Sequence, residues 1–131
     1  MSQANVDAVR SIYDEWGEGN FRGGTELYDP HVVLVMGEGF PEKGVHWGRE
    51  GVREYMHRFL EAWERVTIEA EEIEAVGDSV VAGVLQVASG KGSGVPGEFR
   101  YFQVWTFRGP AVIRLETFRE RDAAFAAAGR V

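Results

Sequence analysis

The nine residues from Phe99 to Phe107 constrain this chain more than any other segment. They read Phe-Arg-Tyr-Phe-Gln-Val-Trp-Thr-Phe, and in a strand alternate side chains leave on opposite faces. One face then carries Phe99, Tyr101, Gln103, Trp105 and Phe107: four aromatic rings around a single amide. The other carries Arg100, Phe102, Val104, Thr106 and Arg108. An unpaired buried amide costs roughly 1–3 kcal/mol, so Gln103 needs a partner. Either it bonds a neighbouring side chain in a closed core, or it faces a ligand in an apolar pocket.

The remaining chain has the length and content to complete such a fold. At 131 residues, positions 1–131 suit one domain with a sizeable core. Hydrophobic residues make up 44% and charged residues 27%, a balance that favours folding over disorder. With 21 acids against 14 bases the net charge is −7, and no Lys/Arg cluster offsets it locally. Nucleic acid is therefore not an expected partner. The chain has no cysteine, which excludes disulfide frameworks, thiolate nucleophiles and cysteine-ligated metal centres. No apolar stretch approaches membrane-spanning length, and the first residues carry no basic region followed by an apolar run. A cytoplasmic protein with no membrane partner is the expectation.

Periodicity orders the elements. Val6, Val9, Ile12, Tyr13 and Trp16 recur at helical spacing, with Asn5 as cap and Gly17 and Gly19 as stop. A helical turn over Glu26 to Tyr28 ends at Asp29-Pro30, and Val32 to Met36 reads as a first strand. Gly37 to Gly48, rich in glycine and proline, reads as a loop. Arg49 to Trp63 is an amphipathic helix with Val52, Tyr55, Met56, Phe59, Leu60 and Trp63 on its apolar face. Strands follow over Thr67 to Val76, Val80 to Ala88, the aromatic segment, and Ala111 to Glu120. Arg121 to Ala128 closes as a short helix. This order predicts an α+β fold, a cone-shaped, strongly curved and mostly antiparallel sheet wrapped over the long helix.

The same order, with particular words in it, resembles the nuclear transport factor 2-like superfamily and its SnoaL-like branch. The words are Ile-Tyr-Asp-Glu-Trp-Gly-Glu-Gly-Asn (12–20), Leu-Tyr-Asp-Pro (27–30) and Gly-Arg-Glu-Gly-Val-Arg-Glu-Tyr (48–55). Phe-Leu-Glu-Ala-Trp-Glu (59–64), Gly-Lys-Gly-Ser-Gly-Val (90–95) and Gln-Val-Trp-Thr-Phe (103–107) follow in order. The resemblance implies a conical domain with a deep cavity between sheet and helices, and a homodimer through the outer sheet face. Relatives include ketosteroid isomerases, polyketide cyclases, limonene epoxide hydrolases and dehydratases, so the resemblance implies a pocket and leaves its chemistry open. Carried over by position, the isomerase tyrosine falls at Ile12, with Tyr13 one residue out of phase. The isomerase base falls near Val35 and its second acid at Gln103, while the cyclase aspartate lands near Thr117, beside Glu116. Strand phase puts Thr117 on the cavity side with Ile113 and Leu115, and Glu116 outward with Arg114. These acid–base positions are altered here, which disfavours a steroid-isomerase mechanism.

Few other residues carry chemistry. His57 lies on a solvated helix face and His31 at a strand entrance, whereas His46, beside Trp47, borders a cavity mouth and stands near Glu38 and Glu42. No spacing suits a metal, and neither metal nor cofactor is expected. Gly92 to Gly97 satisfies Gly-x-Gly-x-x-Gly, but Pro96 and the strand after it make a β–loop–β connection with the option of a pocket lid, not a nucleotide site. No Gly-x-Ser-x-Gly elbow is present.

Neutral hydrogen-bond donors therefore carry the expected chemistry, polarising a carbonyl or enolate. The candidate catalytic residues are His46, Gln103 and Tyr55. The candidate ligand contacts are Trp16, Tyr28, Val35, Trp47, Phe59, Tyr101, Trp105 and Thr117. The reading is a homodimeric, SnoaL-like protein that binds a small apolar or carbonyl-bearing molecule, with cyclase-, isomerase- or dehydratase-type turnover left open. The alternative is a non-catalytic ligand-binding or dimerisation scaffold, whose outer face presents Arg100, Phe102, Val104, Thr106 and Arg108.

Overall fold

The computed structural model describes residues 3–92 and 96–129. Helix α1 (Gln3–Trp16) leads through a 3₁₀ turn (Thr25–Leu27) into β1 (Tyr28–Met36), β2 (Gly44–Trp47) and α2 (Gly48–Glu61). Strands β3 (Trp63–Val76), β4 (Ser79–Gly90), β5 (Pro96–Arg108) and β6 (Ala111–Phe118) follow, and then α3 (Arg121–Ala128). The six strands form one curved sheet in the order β2-β1-β6-β5-β4-β3. Each described pairing is antiparallel except β1 with β6, which is parallel. The α+β class and the mostly antiparallel sheet are as the sequence predicts.

Four local readings need correction. Residues 37–48 are not loop throughout, because Gly44 to Trp47 pair with Met36 to Val33 as a four-residue edge strand. The first strand starts at Tyr28, not Val32. Trp63 opens β3 opposite Gly90 instead of closing α2; its spacing of four from Phe59 imitates a helical stripe. Asn5 sits within α1 and does not cap it. Part of the glycine-rich loop, residues 93–95, lies outside the described residues, and with it half of the Gly-x-Gly-x-x-Gly segment.

Both long helices lie on the concave face of the sheet. Val9, Ile12 and Trp16 of α1 join Leu34, Tyr101 and Trp105 in one buried cluster. Gly24 makes the close approach of the following turn workable. Its φ is +88°, and a Cβ there would stand 2.5 Å from the Ile12 side chain. On the convex face α3 lays Ala124 and Ala128 over Val81 and Val104, with Phe102, Phe118 and Phe125 around them. Val104 is completely buried by its own chain. The outer face that the sequence offers for association is therefore partly occupied at β5.

Candidate functional site

Strand alternation directs Leu34, Met36, Gln86, Tyr101, Gln103 and Leu115 to the concave side. Val52, Tyr55, Met56 and Phe59 of α2 close over them and leave a cavity of about 680 Å³. That volume falls within the range of small-molecule sites. Trp16, Tyr28, Phe40, Trp63 and Ile68 complete walls that are mainly aromatic and aliphatic.

The polar part of the cavity is set by a chain of two hydrogen bonds that joins Trp105, Tyr13 and Gln103. Trp105 Nε1–H, which can only donate, stands 2.8 Å from the Tyr13 hydroxyl oxygen. Tyr13 therefore accepts there and spends its own proton on Gln103 Oε1, 2.6 Å away. The Gln103 amide is thereby fixed with its oxygen tied, and its NH₂ is the end it can offer a ligand. Tyr101 donates to Gln86 Oε1 at 2.7 Å, a second amide with its oxygen engaged at the same wall. Trp63 Nε1–H, also at the wall, is buried with no hydrogen-bond partner among the described residues.

Electrostatics keep these groups neutral. Burial pushes the Tyr55 hydroxyl up to about 12, and the negative charge of Glu42 adds to the rise. Burial likewise holds Tyr13, Tyr28 and Tyr101 far above the ordinary phenol range. No phenolate base is available near neutral pH. The acids that line the cavity are Glu42, ion-paired at 3.0 Å with Arg58, and the exposed Glu98. What the interior offers is neutral donors in an apolar surround.

Of the residues singled out from sequence, Gln103, Tyr55, Trp16, Tyr28, Phe59 and Tyr101 line this cavity. Five do not. His46 is half-buried against α2, its Nε2 held 2.9 Å from the Glu42 carbonyl oxygen and its ring 5.2 Å from that of Tyr55. Trp47 is 69% exposed. Val35 points to the convex face, sharing it with its register partners Val45 and Glu116. Trp105 is fully buried behind Tyr13. Thr117 is on the inner face between Met36 and Gln103, as strand phase predicts, but it is buried beneath the cavity wall. Its Oγ1 has no hydrogen-bond partner among the described residues. Ile113, expected to share that face, falls at a register shift that leaves Val112 in the core instead. Glu116 does point outward, paired with Arg114 at 3.3 Å.

Two corrections concern roles. Tyr13, read as out of phase, is the residue that meets Gln103, while Ile12 packs in the core. Gln103 finds its partner in a neighbouring side chain, Tyr13, and does so at the wall of a cavity and not in a closed core. Sequence reasoning missed Gln86, although its place as the lone amide in the apolar run Val80 to Ala88 repeats the signal of Gln103. It also missed Phe40, in a segment without periodicity, Trp63, whose helical spacing misleads, and Arg119, just past the end of β6, all of which line the cavity.

Comparison with known proteins agrees with this architecture. Residues 9–115 match the family described as the SnoaL-like domain. No curated protein matches the sequence. Among solved structures, TerC co-crystallized with polyporic acid is similar at 20% identity over 98% of this chain and 100% of that one, with a TM-score of 0.77. An NTF2-like protein of unknown function from Burkholderia pseudomallei K96243 is similar at 16% identity over 100% of both chains, TM-score 0.78. A hypothetical protein with a ketosteroid isomerase-like fold from Catenulispora acidiphila DSM 44928, in complex with trimethylamine, is similar at 17% identity over 94% of this chain and 92% of that one, TM-score 0.74. At these identities the likeness is one of fold.

Proposed function

The chain belongs to the SnoaL-like domain family, and from that premise we propose that it binds one small, largely apolar molecule whose carbonyl or hydroxyl oxygen accepts from Gln103. One observation carries the reading: the Trp105–Tyr13–Gln103 chain fixes the Gln103 amide with its oxygen engaged and its donor end left for the cavity. The buried Trp63 N–H supports it as a second donor without an acceptor. The co-crystal of TerC with polyporic acid supports a small organic ligand in a protein of this fold. Turnover, where it occurs, runs through polarisation of that oxygen by neutral donors, because the wall offers no carboxylate outside its exposed and ion-paired acids. Binding without turnover uses the same contacts.

Thermal unfolding against a panel of apolar ketones, steroids and aromatic polyketide-like acids tests this reading. A ligand at a hundred times its dissociation constant adds about 2.7 kcal/mol of stability. Wild-type protein should show that shift with at least one compound, and Gln103→Leu should lose it relative to its own ligand-free midpoint. A panel with no shift on wild type overturns the proposal.

A homodimer through the outer sheet face remains part of the reading, with its location moved by one observation. Trp47 and Val45, both exposed, share the convex face with Val33 and Val35 at the edge away from α3. Sedimentation should give a dimer that Trp47→Glu dissociates. A single species at the 14.6 kDa monomer mass at tens of micromolar overturns it.

A further inference from the structure

We propose that the ligand of this cavity is an aromatic carboxylate, with Arg119 as the residue that reads its charge. The inference rests on the cavity being a ligand site and specifies which class of molecule it takes.

Three arginines line the cavity: Arg58, Arg100 and Arg119. Two are already neutralised. Arg58 Nε stands 3.0 Å from Glu42 Oε1, and Arg100 grips Glu71 with two bonds of 3.0 and 3.2 Å. Arg119 has no ion pair among the described residues. In a chain of net charge −7, a cation left uncompensated beside an apolar cavity is a distinct electrostatic feature.

Its placement is built by the backbone. Residues 115, 117 and 119 share the phase of the inner face, so Arg119 continues β6 past its last residue toward the cavity side. The side chain folds back over the 37–40 segment, where Gly39 makes room for it. A Cβ on Gly39 would lie 2.7 Å from Arg119 Nη1 and 3.4 Å from its Cδ. Gly39 also has φ +88°, and Gly39 and Phe40 line the same cavity. The guanidinium is therefore laid along the cavity margin. Guanidinium prefers the planar, two-oxygen geometry of a carboxylate. A molecule that spans the cavity then meets an apolar, aromatic surround along its body, the Gln103 NH₂ at its inner oxygen and Arg119 at its acidic end.

Two probes with one ring system and different charge separate the possibilities: 2-naphthoate and 2-acetonaphthone, titrated calorimetrically at low salt. Wild type should bind the acid about tenfold more tightly than the ketone, a difference of about 1.4 kcal/mol. Arg119→Gln should bring the ratio of the two affinities to about one, and Arg119→Lys should restore part of it. Arg22→Gln changes the net charge equally at an exposed position off the cavity, and should leave the ratio unchanged. Ketone binding without preference for the acid overturns the carboxylate assignment and leaves the ligand site standing. A preference that survives Arg119→Gln also overturns it. If neither probe binds and the wider panel gives no thermal shift, the ligand site and this inference fall together.

Discussion

The Tyr13 hydroxyl and Gln103 Oε1, ninety positions apart in the chain, meet at 2.6 Å in a buried hydrogen bond. The contact joins the first helix to the aromatic strand and, through Trp105, orients the amide that faces the cavity. Removing one partner strands the other. Gln103→Leu should cost roughly 1–3 kcal/mol, since the Tyr13 proton is left without an acceptor. A double-mutant cycle with Tyr13→Phe, read by urea unfolding, should give a coupling energy of about 1 kcal/mol or more. Additive losses would mean that the two side chains do not bond in solution.

Alkaline stability follows from the tyrosines. Tyr55 titrates near 12 in the fold against 10.0 for the free side chain, and burial is the first cause. Below pH 10 both states keep the proton and stability does not depend on it. Between pH 10 and about 12 the unfolded chain ionises while the folded one does not, so stability falls as pH rises, by up to about 1.4 kcal/mol per pH unit for this group. The other three tyrosines are shifted in the same direction and steepen the fall. Urea midpoints should be flat with respect to tyrosine titration up to pH 10 and then drop, less steeply in Tyr55→Phe. Midpoints that rise between pH 10 and 11 would contradict the burial of these hydroxyls.

Gly24 and Gly19 share a backbone conformation and differ in surroundings. Their φ values are +88° and +87°, but a Cβ at Gly24 would meet Ile12 at 2.5 Å and one at Gly19 nothing within 4 Å. Gly19→Ala should cost about 1 kcal/mol, the strain of the left-handed region alone. Gly24→Ala should cost that plus an overpacking penalty of about 1–3 kcal/mol. Equal midpoints for the two variants in thermal unfolding would show that α1 yields freely at Ile12.

Thr117 offers a stabilising substitution. Its Oγ1 is buried with no hydrogen-bond partner among the described residues, and valine has nearly the same shape. Thr117→Val should raise stability by about 1 kcal/mol, because an unsatisfied polar group is removed without opening a void. A loss of similar size would reveal a bonded hydroxyl.

The sequence made the helices and the aromatic strand legible because their side chains repeat with the period of the backbone. Alternation from Phe99 to Phe107 put Tyr101 and Gln103 at the cavity, and Arg121 to Ala128 is helix α3 as read. Strand β2 escaped because its existence depends on pairing with β1. The family resemblance puts Val35 at the cavity, whereas the alternation of Leu34 and Met36 turns it outward. Trp105 and Thr117 were read for the right face but the wrong depth, since periodicity reports direction and not how much protein lies beyond a side chain. Arg119 shares the phase of Leu115 and Thr117, but phase alone does not seat it at the cavity margin. Its place depends on a loop some eighty positions earlier folding beneath it.

The parallel pairing of β1 with β6 also governs when the molecule can come into being. β6 follows the other five strands of the sheet in chain order, yet it sits between β1 and β5 in the middle of it. A nascent chain that has emerged only through β5 has two separate sheet fragments, β2-β1 and β5-β4-β3, each with an open edge toward the other. Closing them spans most of the chain and is entropically costly, a topology associated with slow folding. Until then β1 and β5 are unpaired templates for other chains. Yield in the cell should therefore depend on how fast the final strand is delivered, and the cavity acquires its floor only at that step.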